Sequence, residues 1–186
     1  MRVISGRFRG RKLRGPRGLQ MRPTSDRLKE TLFDILGPNV AGTVLVDVFA
    51  GTGAVGLEAL SRGAREVVFI ESSPQAVDLI RKNLELCGVT TSYSIIQSNV
   101  FAALRVLGRK GYRADTVFLD PPYEWPAYGD LLDTVFRMGL VGHESRVIVE
   151  HHSKALLPES VESLARTRTV RQNDKCLSFY VVEPGG

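Results

Sequence analysis

The stretch Thr43-Val-Leu-Val-Asp47-Val-Phe-Ala-Gly51-Thr-Gly53-Ala-Val-Gly56 decides the fold. Thr43 to Val48 is a short apolar, β-branched run that reads as a strand. Gly51 and Gly53 follow, letting the backbone bend sharply and approach a ligand with no Cβ in the way. A helix then runs through Ala59-Leu60 and ends near Gly63, and Gly56 within it allows close packing on the strand. Strand, glycine turn, helix is the order that a nucleotide or nucleoside pocket requires. The turn alone fits NAD equally well; Asp47, four positions ahead of Gly51, discriminates. A carboxylate there suits the ammonium of a methionine moiety, directly or through water, and sits badly beside a pyrophosphate. Glu71, at the end of the next apolar run, is placed to accept hydrogen bonds from both ribose hydroxyls. The implied cofactor is S-adenosylmethionine.

Outward from this turn the pattern alternates. Leu28, Leu32, Ile35 and Leu36 fall on one helical face before Gly37-Pro38. Val67 to Ile70 reads as a second strand, and Pro74 opens a helix whose Val77, Ile80 and Leu84 share a face. Ser94 to Gln97, Thr116 to Leu119 and Arg146 to Glu150 read as further strands, with helices over 100–109 and 129–138 between them. Thr167 to Arg171 and Leu177 to Val182 flank Asn173-Asp174, a hairpin signal. The expectation is an α/β, Rossmann-like class I S-adenosylmethionine-dependent methyltransferase. Its sheet is expected to be mostly parallel and seven-stranded, with a C-terminal antiparallel hairpin and a basic N-terminal β-hairpin extension. Ligands then bind beyond the carboxyl ends of the strands. Residues 1–22 are expected to form the extension and residues 23–186 the catalytic domain.

The fourth strand delivers Asp120-Pro121-Pro122-Tyr123. An exocyclic amine on a purine is a poor nucleophile, because its lone pair is delocalised into the ring. Acceptors that hold its two N–H groups can aim that lone pair at an activated methyl. Asp120 and the carbonyl of Pro121 are the candidate acceptors, pre-set by two prolines whose φ is fixed near −65°, and Tyr123 can stack on the flat base. Asp120 is therefore read as acceptor and orienter. Trp125 and Tyr128 follow the turn and either wall the base or pack. Asn99 and Val100 end the third strand, where an adenine ring would lie, offering a side-chain amide and a backbone N–H.

Charge is unevenly spread. Residues 1 to 29 carry +9, whereas the remainder carries −4, so the positive potential belongs to the N-terminal arm. Arg2, Arg7, Phe8, Arg9, Arg11, Lys12, Arg14 and Arg17 combine guanidinium groups for phosphates with an aromatic ring for bases. With 43% hydrophobic residues, 186 residues suffice for one good core. No run of about 18 apolar residues is present to span a bilayer, and the arginine-rich start lacks the apolar segment of a signal peptide, so a cytoplasmic protein is expected. Cys87 and Cys176 lack metal-ligand spacing and His151-His152 has no companion ligands, so no metal is expected. These groups read as core thiols and surface imidazoles.

The motifs resemble the RsmD-type methyltransferases of bacteria, which modify guanine N2 in 16S ribosomal RNA. The resemblance begins with the arm, Arg2 to Leu13. It continues through Arg22-Pro-Thr-Ser-Asp26-Arg-Leu-Lys-Glu-Thr-Leu-Phe33, the Asp47 turn and Asp120-Pro-Pro-Tyr123, and closes at Leu177-Ser-Phe-Tyr180. It implies a single guanine of the small subunit as substrate, a monomeric enzyme, and a role for Thr24 in closing the cofactor site. Ser98-Asn99 departs from the pattern, since relatives often place an acid there; an amide still accepts from the adenine amine but without charge assistance. Two alternatives stand beside this reading: adenine-N6 methylation of DNA or RNA, because the Asp120 turn sees an amino group and not the ring, and a non-catalytic RNA-binding assembly factor.

Overall fold

The computed structural model describes residues 1–15 and 26–183, so Arg17 and Thr24 lie outside the described residues. The chain forms two compact units, Met1–Ser98 and Asn99–Gly186.

In the first unit, helix α1 (Asp26–Leu36) buries Leu28, Leu32, Phe33 and Leu36 and runs into a 3-10 turn at Gly37–Val40. Strand β1 (Val44–Val48), helix α2 (Ala54–Ser61), strand β2 (Glu66–Glu71), helix α3 (Pro74–Leu86) and strand β3 (Tyr93–Gln97) follow. The strands pair in parallel in the order β3-β2-β1. Every residue of β1 is buried, as expected of a parallel strand covered on both faces. Ser73 caps α3 by accepting the Ala76 N–H at 3.3 Å, and Pro74 supplies the first-turn φ.

The second unit contains α4 (Val100–Arg109), β4 (Thr116–Leu119), α5 (Tyr128–Arg137), β5 (Arg146–His152), β6 (Ser160–Val161), β7 (Leu164–Gln172) and β8 (Lys175–Val182). β4 and β5 are parallel, whereas β5–β8, β8–β7 and β7–β6 are antiparallel. The hairpin turns at Asn173, whose φ is 57°. Eight strands thus form among the described residues where seven were expected. The extra one, β6, is two residues long and folds back on β7 by pairing Val161 with Leu164. Two residues are too few to show an alternating pattern, so the sequence gives no sign of it. Among the described residues, no helix is long and apolar enough to cross a membrane.

Tyr180 locks β8 to the loop before β6. Its ring is fully buried, its hydroxyl donates to the Pro158 carbonyl at 2.7 Å, and burial pushes its pKa from 10.0 up to about 12. The native state therefore keeps a proton that the unfolded chain gives up first, so stability held below pH 10 is lost as pH rises toward 12. The shift is worth on the order of 2–3 kcal/mol. Denaturant unfolding over this range should fall less steeply in Tyr180→Phe than in the parent; equal slopes would refute the assignment.

Candidate active site

The first unit shapes a cradle where β1 and β2 end. Gly51 and Gly53 take positive φ, 55° and 74°, which turns the chain from β1 into α2. Asp47 is 2% exposed, and its Oδ2 accepts the Gly56 N–H at 2.9 Å. It therefore braces the first turn of α2 against β1 as well as supplying charge beneath the turn. A Cβ on Gly56 would lie 2.3 Å from Phe69 Cε1 and 2.7 Å from Val67 Cγ1, so only glycine allows this approach of helix to sheet. Glu71 is held by three N–H groups. Gly51 donates to Oε2 at 2.8 Å, while Ser72 and Ser73 donate to Oε1 at 2.8 and 2.9 Å. Each carboxylate oxygen has two lone pairs, so Oε2 keeps capacity for a further donor, in a fixed position beside the turn. A nucleoside cofactor with a ribose diol fits these groups.

The arm is folded onto this unit. Val3, Phe8 and Leu13 are buried, whereas Arg2, Arg7, Arg9, Arg11, Lys12 and Arg14 are exposed. The expected hairpin is reduced to one antiparallel bridge, Arg2–Lys12, supported by Val3 N–H to the Arg11 carbonyl and Gly10 N–H to the Val3 carbonyl. Pairing stops there because α2 supplies the partners instead. Glu58 accepts the Ile4 and Ser5 N–H groups at 2.7 and 3.0 Å, and Ser61 Oγ accepts the Phe8 N–H at 2.8 Å. Phe8 requires a correction as a base-stacking residue. Its ring is 7% exposed, with the Arg7 guanidinium 4.5 Å above it, so it anchors the arm.

Sequence reading missed the residues that hold the arm. Glu58 and Lys29 are fully buried, 3.4 Å apart. Burial pushes the Lys29 pKa down while Glu58 and Asp26 pull it back, and its ammonium donates to the Arg2 carbonyl at 2.6 Å. Asn83, also fully buried, accepts the Arg14 N–H at 2.8 Å and donates to the carbonyls of Arg14 and Thr52 at 3.1 and 2.9 Å. It thereby ties the arm to the glycine turn. A signal was available: Lys29 lies four residues before Phe33, and Asn83 three after Ile80, each on an apolar helical face.

The second unit presents the Asp120 turn. Asp120 follows β4 and is half-buried, Pro121 is buried, and the Pro122 carbonyl accepts the Trp125 N–H at 3.0 Å, closing the turn. Tyr123 is 62% exposed, its ring centroid 4.6 Å from that of His152. Tyr128 is buried, and its pKa is raised by burial and then by the Asp120 carboxylate. Trp125 stacks on Phe101 at 6.3 Å. Tyr123, Trp125, Tyr128, His152, Lys154 and Leu156 line a cavity of ≈ 370 Å³, roomy enough for a flat aromatic ligand. Asn99 caps α4, its Oδ1 accepting the Phe101 N–H at 3.0 Å, and Val100 is buried at the first helical position. The amide oxygen read as an adenine acceptor is thus already engaged by the helix, with one lone pair remaining.

Cys87 and Cys176 are buried, and burial raises both pKa values. His151 is not the surface imidazole expected. It is 8% exposed, its Nδ1 lies 2.9 Å from the His152 carbonyl and its Nε2 2.8 Å from Ser178 Oγ. Burial lowers its pKa, so it is a neutral structural group that donates through Nδ1 and accepts from Ser178. Among the described residues, no cluster of three or more His, Cys, Asp or Glu side chains is arranged to hold a metal.

Solved structures that share this fold include one named as a SAM-dependent methyltransferase from Streptococcus mutans, with a TM-score of 0.68 at 13% identity, covering 82% of this chain and 48% of that chain. The family described as Conserved hypothetical protein 95 matches residues 1–181, and the chain belongs to it; it is the RsmD family that the arm and motifs resemble. YlbH of Bacillus subtilis (strain 168) is 34% identical over 170 residues, covering 90% of this chain and 91% of that protein. Ribosomal RNA small subunit methyltransferase D of Escherichia coli (strain K12) is 35% identical over 158 residues, covering 85% and 78%. The solved structure of Escherichia coli yhhF superposes with a TM-score of 0.85 at 33% identity, covering 98% of each chain.

Proposed function

We propose that this chain is an rRNA methyltransferase that carries the methyl of S-adenosylmethionine to the N2 amine of one guanine in 16S rRNA of the small ribosomal subunit, acting as a cytoplasmic monomer. The observation that carries this reading is the Asp120-Pro-Pro-Tyr turn beside an aromatic-lined cavity, in a chain 35% identical to a protein named for small-subunit rRNA methylation. S-adenosylmethionine supplies a methyl already activated on a sulfonium. The Gly51–Gly53 turn, Asp47 and Glu71 would hold it, with Asn99 and Val100 at its adenine, and Thr24, outside the described residues, would help to close the site. Asp120 and the Pro121 carbonyl accept the two N–H groups of the guanine amine, and Tyr123 stacks on its ring. Alignment contributes most of the acceleration, and the surplus proton leaves after transfer.

Residues 1–22 serve as the RNA-docking extension of a catalytic domain at 23–186. Support comes from the division of labour in residues 1–15, in which Val3, Phe8 and Leu13 are buried and the basic side chains exposed. Replacing Arg7, Arg9 and Arg11 together with glutamine should reduce the salt dependence of RNA binding by about 2 in the log–log slope, at roughly 0.7 per lost phosphate contact. Thermal stability should fall only slightly, by the Arg7–Phe8 cation–π contact at about 0.5–1 kcal/mol; an unaltered slope would remove the arm from the interface.

The reading itself is tested by incubating small subunits lacking the modification with labelled S-adenosylmethionine and analysing the nucleosides. N2-methylguanosine at one site is the expected product. N6-methyladenosine would replace the guanine reading with the adenine one, and tight RNA binding with no transfer at saturating cofactor would make the chain an assembly factor.

A further inference from the structure

Among the described residues only four large hydrophobic side chains are substantially exposed, and the two most exposed, Leu156 at 95% and Tyr123 at 62%, line the same cavity. Leu156 is not on a slack segment. Ser153 N–H donates to the Asp174 carbonyl at 2.8 Å, Ala155 N–H to the His152 carbonyl at 2.9 Å, and Lys154 N–H to His152 Nδ1 at 3.1 Å. Beyond it, Leu157 is 9% exposed and the Pro158 carbonyl is held by Tyr180. A braced loop thus tucks Leu157 in and holds the preceding leucine, Leu156, out in water, where it gains nothing from folding.

We propose that Leu156 is a wedge for RNA: it enters the base stack at the gap left when the target nucleotide turns into the cavity against Tyr123. This rests on the proposed function. A base that leaves its stack exposes the apolar faces of its neighbours, and an inserted aliphatic side chain covers them and holds the extruded state open. Position supports this occupant, because the wedge and the stacking ring share one cavity wall. So does charge, since Lys154 in the same wall supplies a cation for the flanking phosphate. Glu124 also lines the cavity, which disfavours a phosphate deep within it and leaves the interior to an uncharged base.

The experiment compares parent, Leu156→Ala and Leu156→Met under single-turnover conditions on small subunits lacking the modification. Leu156→Ala should slow transfer about tenfold, as expected when a wedge that holds a base out of its stack is removed. Its RNA affinity should stay within about twofold, since phosphate contacts dominate binding, and its melting temperature should be unchanged. Leu156→Met, similar in apolar volume, should restore the parent rate. Parental rates in Leu156→Ala would overturn the wedge while leaving the guanine-methylation reading intact. So would a concentration-dependent self-association of the parent that the alanine variant loses, since Leu156 would then contact a second copy. A parent that methylates no guanine overturns the underlying reading, and the wedge with it.

Discussion

Asp120→Ala is expected to lower methyl transfer by at least ~10²-fold, the usual loss when a preorganised polar group at a reacting centre is removed, while cofactor affinity is preserved. The asymmetry follows from where the residues lie. Asp120 lies on the turn after β4, whereas the groups proposed to hold the cofactor lie elsewhere in the chain: Asp47, the glycine turn and Glu71 after β1 and β2, and Asn99 and Val100 at the start of α4. In the proposed reaction the guanine amine has no charge to be steered, and its lone pair is delocalised, so its reactivity depends on orientation through its N–H groups. Asp120 is half-buried with a buried proline after it and the buried Tyr128 nearby, so water in its place would be less fixed and would also donate. Asp120→Asn should fall between, because its amide oxygen still accepts one N–H while its NH₂ opposes the other. Single-turnover transfer and calorimetric titration with S-adenosylmethionine check both halves; near-normal turnover in the alanine variant would remove Asp120 from the mechanism.

Much of this was legible in the chain because parallel α/β architecture writes itself in runs. The β1 run, the glycines and the first turn of α2 are contiguous, so one segment announces strand, turn and helix together. The ends of β2, β3 and α5 fall within one residue of those expected, and those of α4 and β4 coincide with them. The residues proposed to hold the cofactor were legible as residue types but not as contacts. Nothing in Asp47 says that one oxygen will hold the Gly56 N–H, because that depends on α2 closing over β1. Phe8 was misread for a related reason. An aromatic among arginines has the composition of a nucleic-acid contact, yet burial is decided by Ser61 and the rest of α2, more than fifty residues away. The cavity wall formed by His152, Lys154 and Leu156 has no local signature at all, since only the antiparallel pairing of β5 with β8 and the brace at Pro158 determine which side chain of that loop stays outside.

Glu58→Ala should be the most destabilising single change in the arm's seat. The Glu58 carboxylate is fully buried between Lys29 and Arg62 and accepts two backbone N–H groups of the arm. Removing one partner of a buried ion pair costs about 3–5 kcal/mol, because the other charge is left uncompensated. At ~2–4 °C per kcal/mol for a chain of this length, the melting temperature should fall by roughly 6–20 °C. Adding Lys29→Met should recover part of this by removing the stranded ammonium. Recovery stays incomplete, because the Ile4 and Ser5 N–H groups still lack their acceptor, at about 1–3 kcal/mol each. Scanning calorimetry checks the stability, and limited proteolysis of the arm checks that the loss begins there. RNA affinity of the folded double variant then separates two physical accounts by sign. Lys29→Met and Glu58→Ala together leave net charge unchanged, so bulk electrostatics predicts binding equal to the parent, whereas an arm that works by presenting Arg7, Arg9 and Arg11 from a fixed seat predicts weaker binding. The Glu58→Ala single variant sharpens this contrast, since loss of an acid beneath a basic arm would by charge alone strengthen attachment to a polyanion, and the scaffold account requires the opposite.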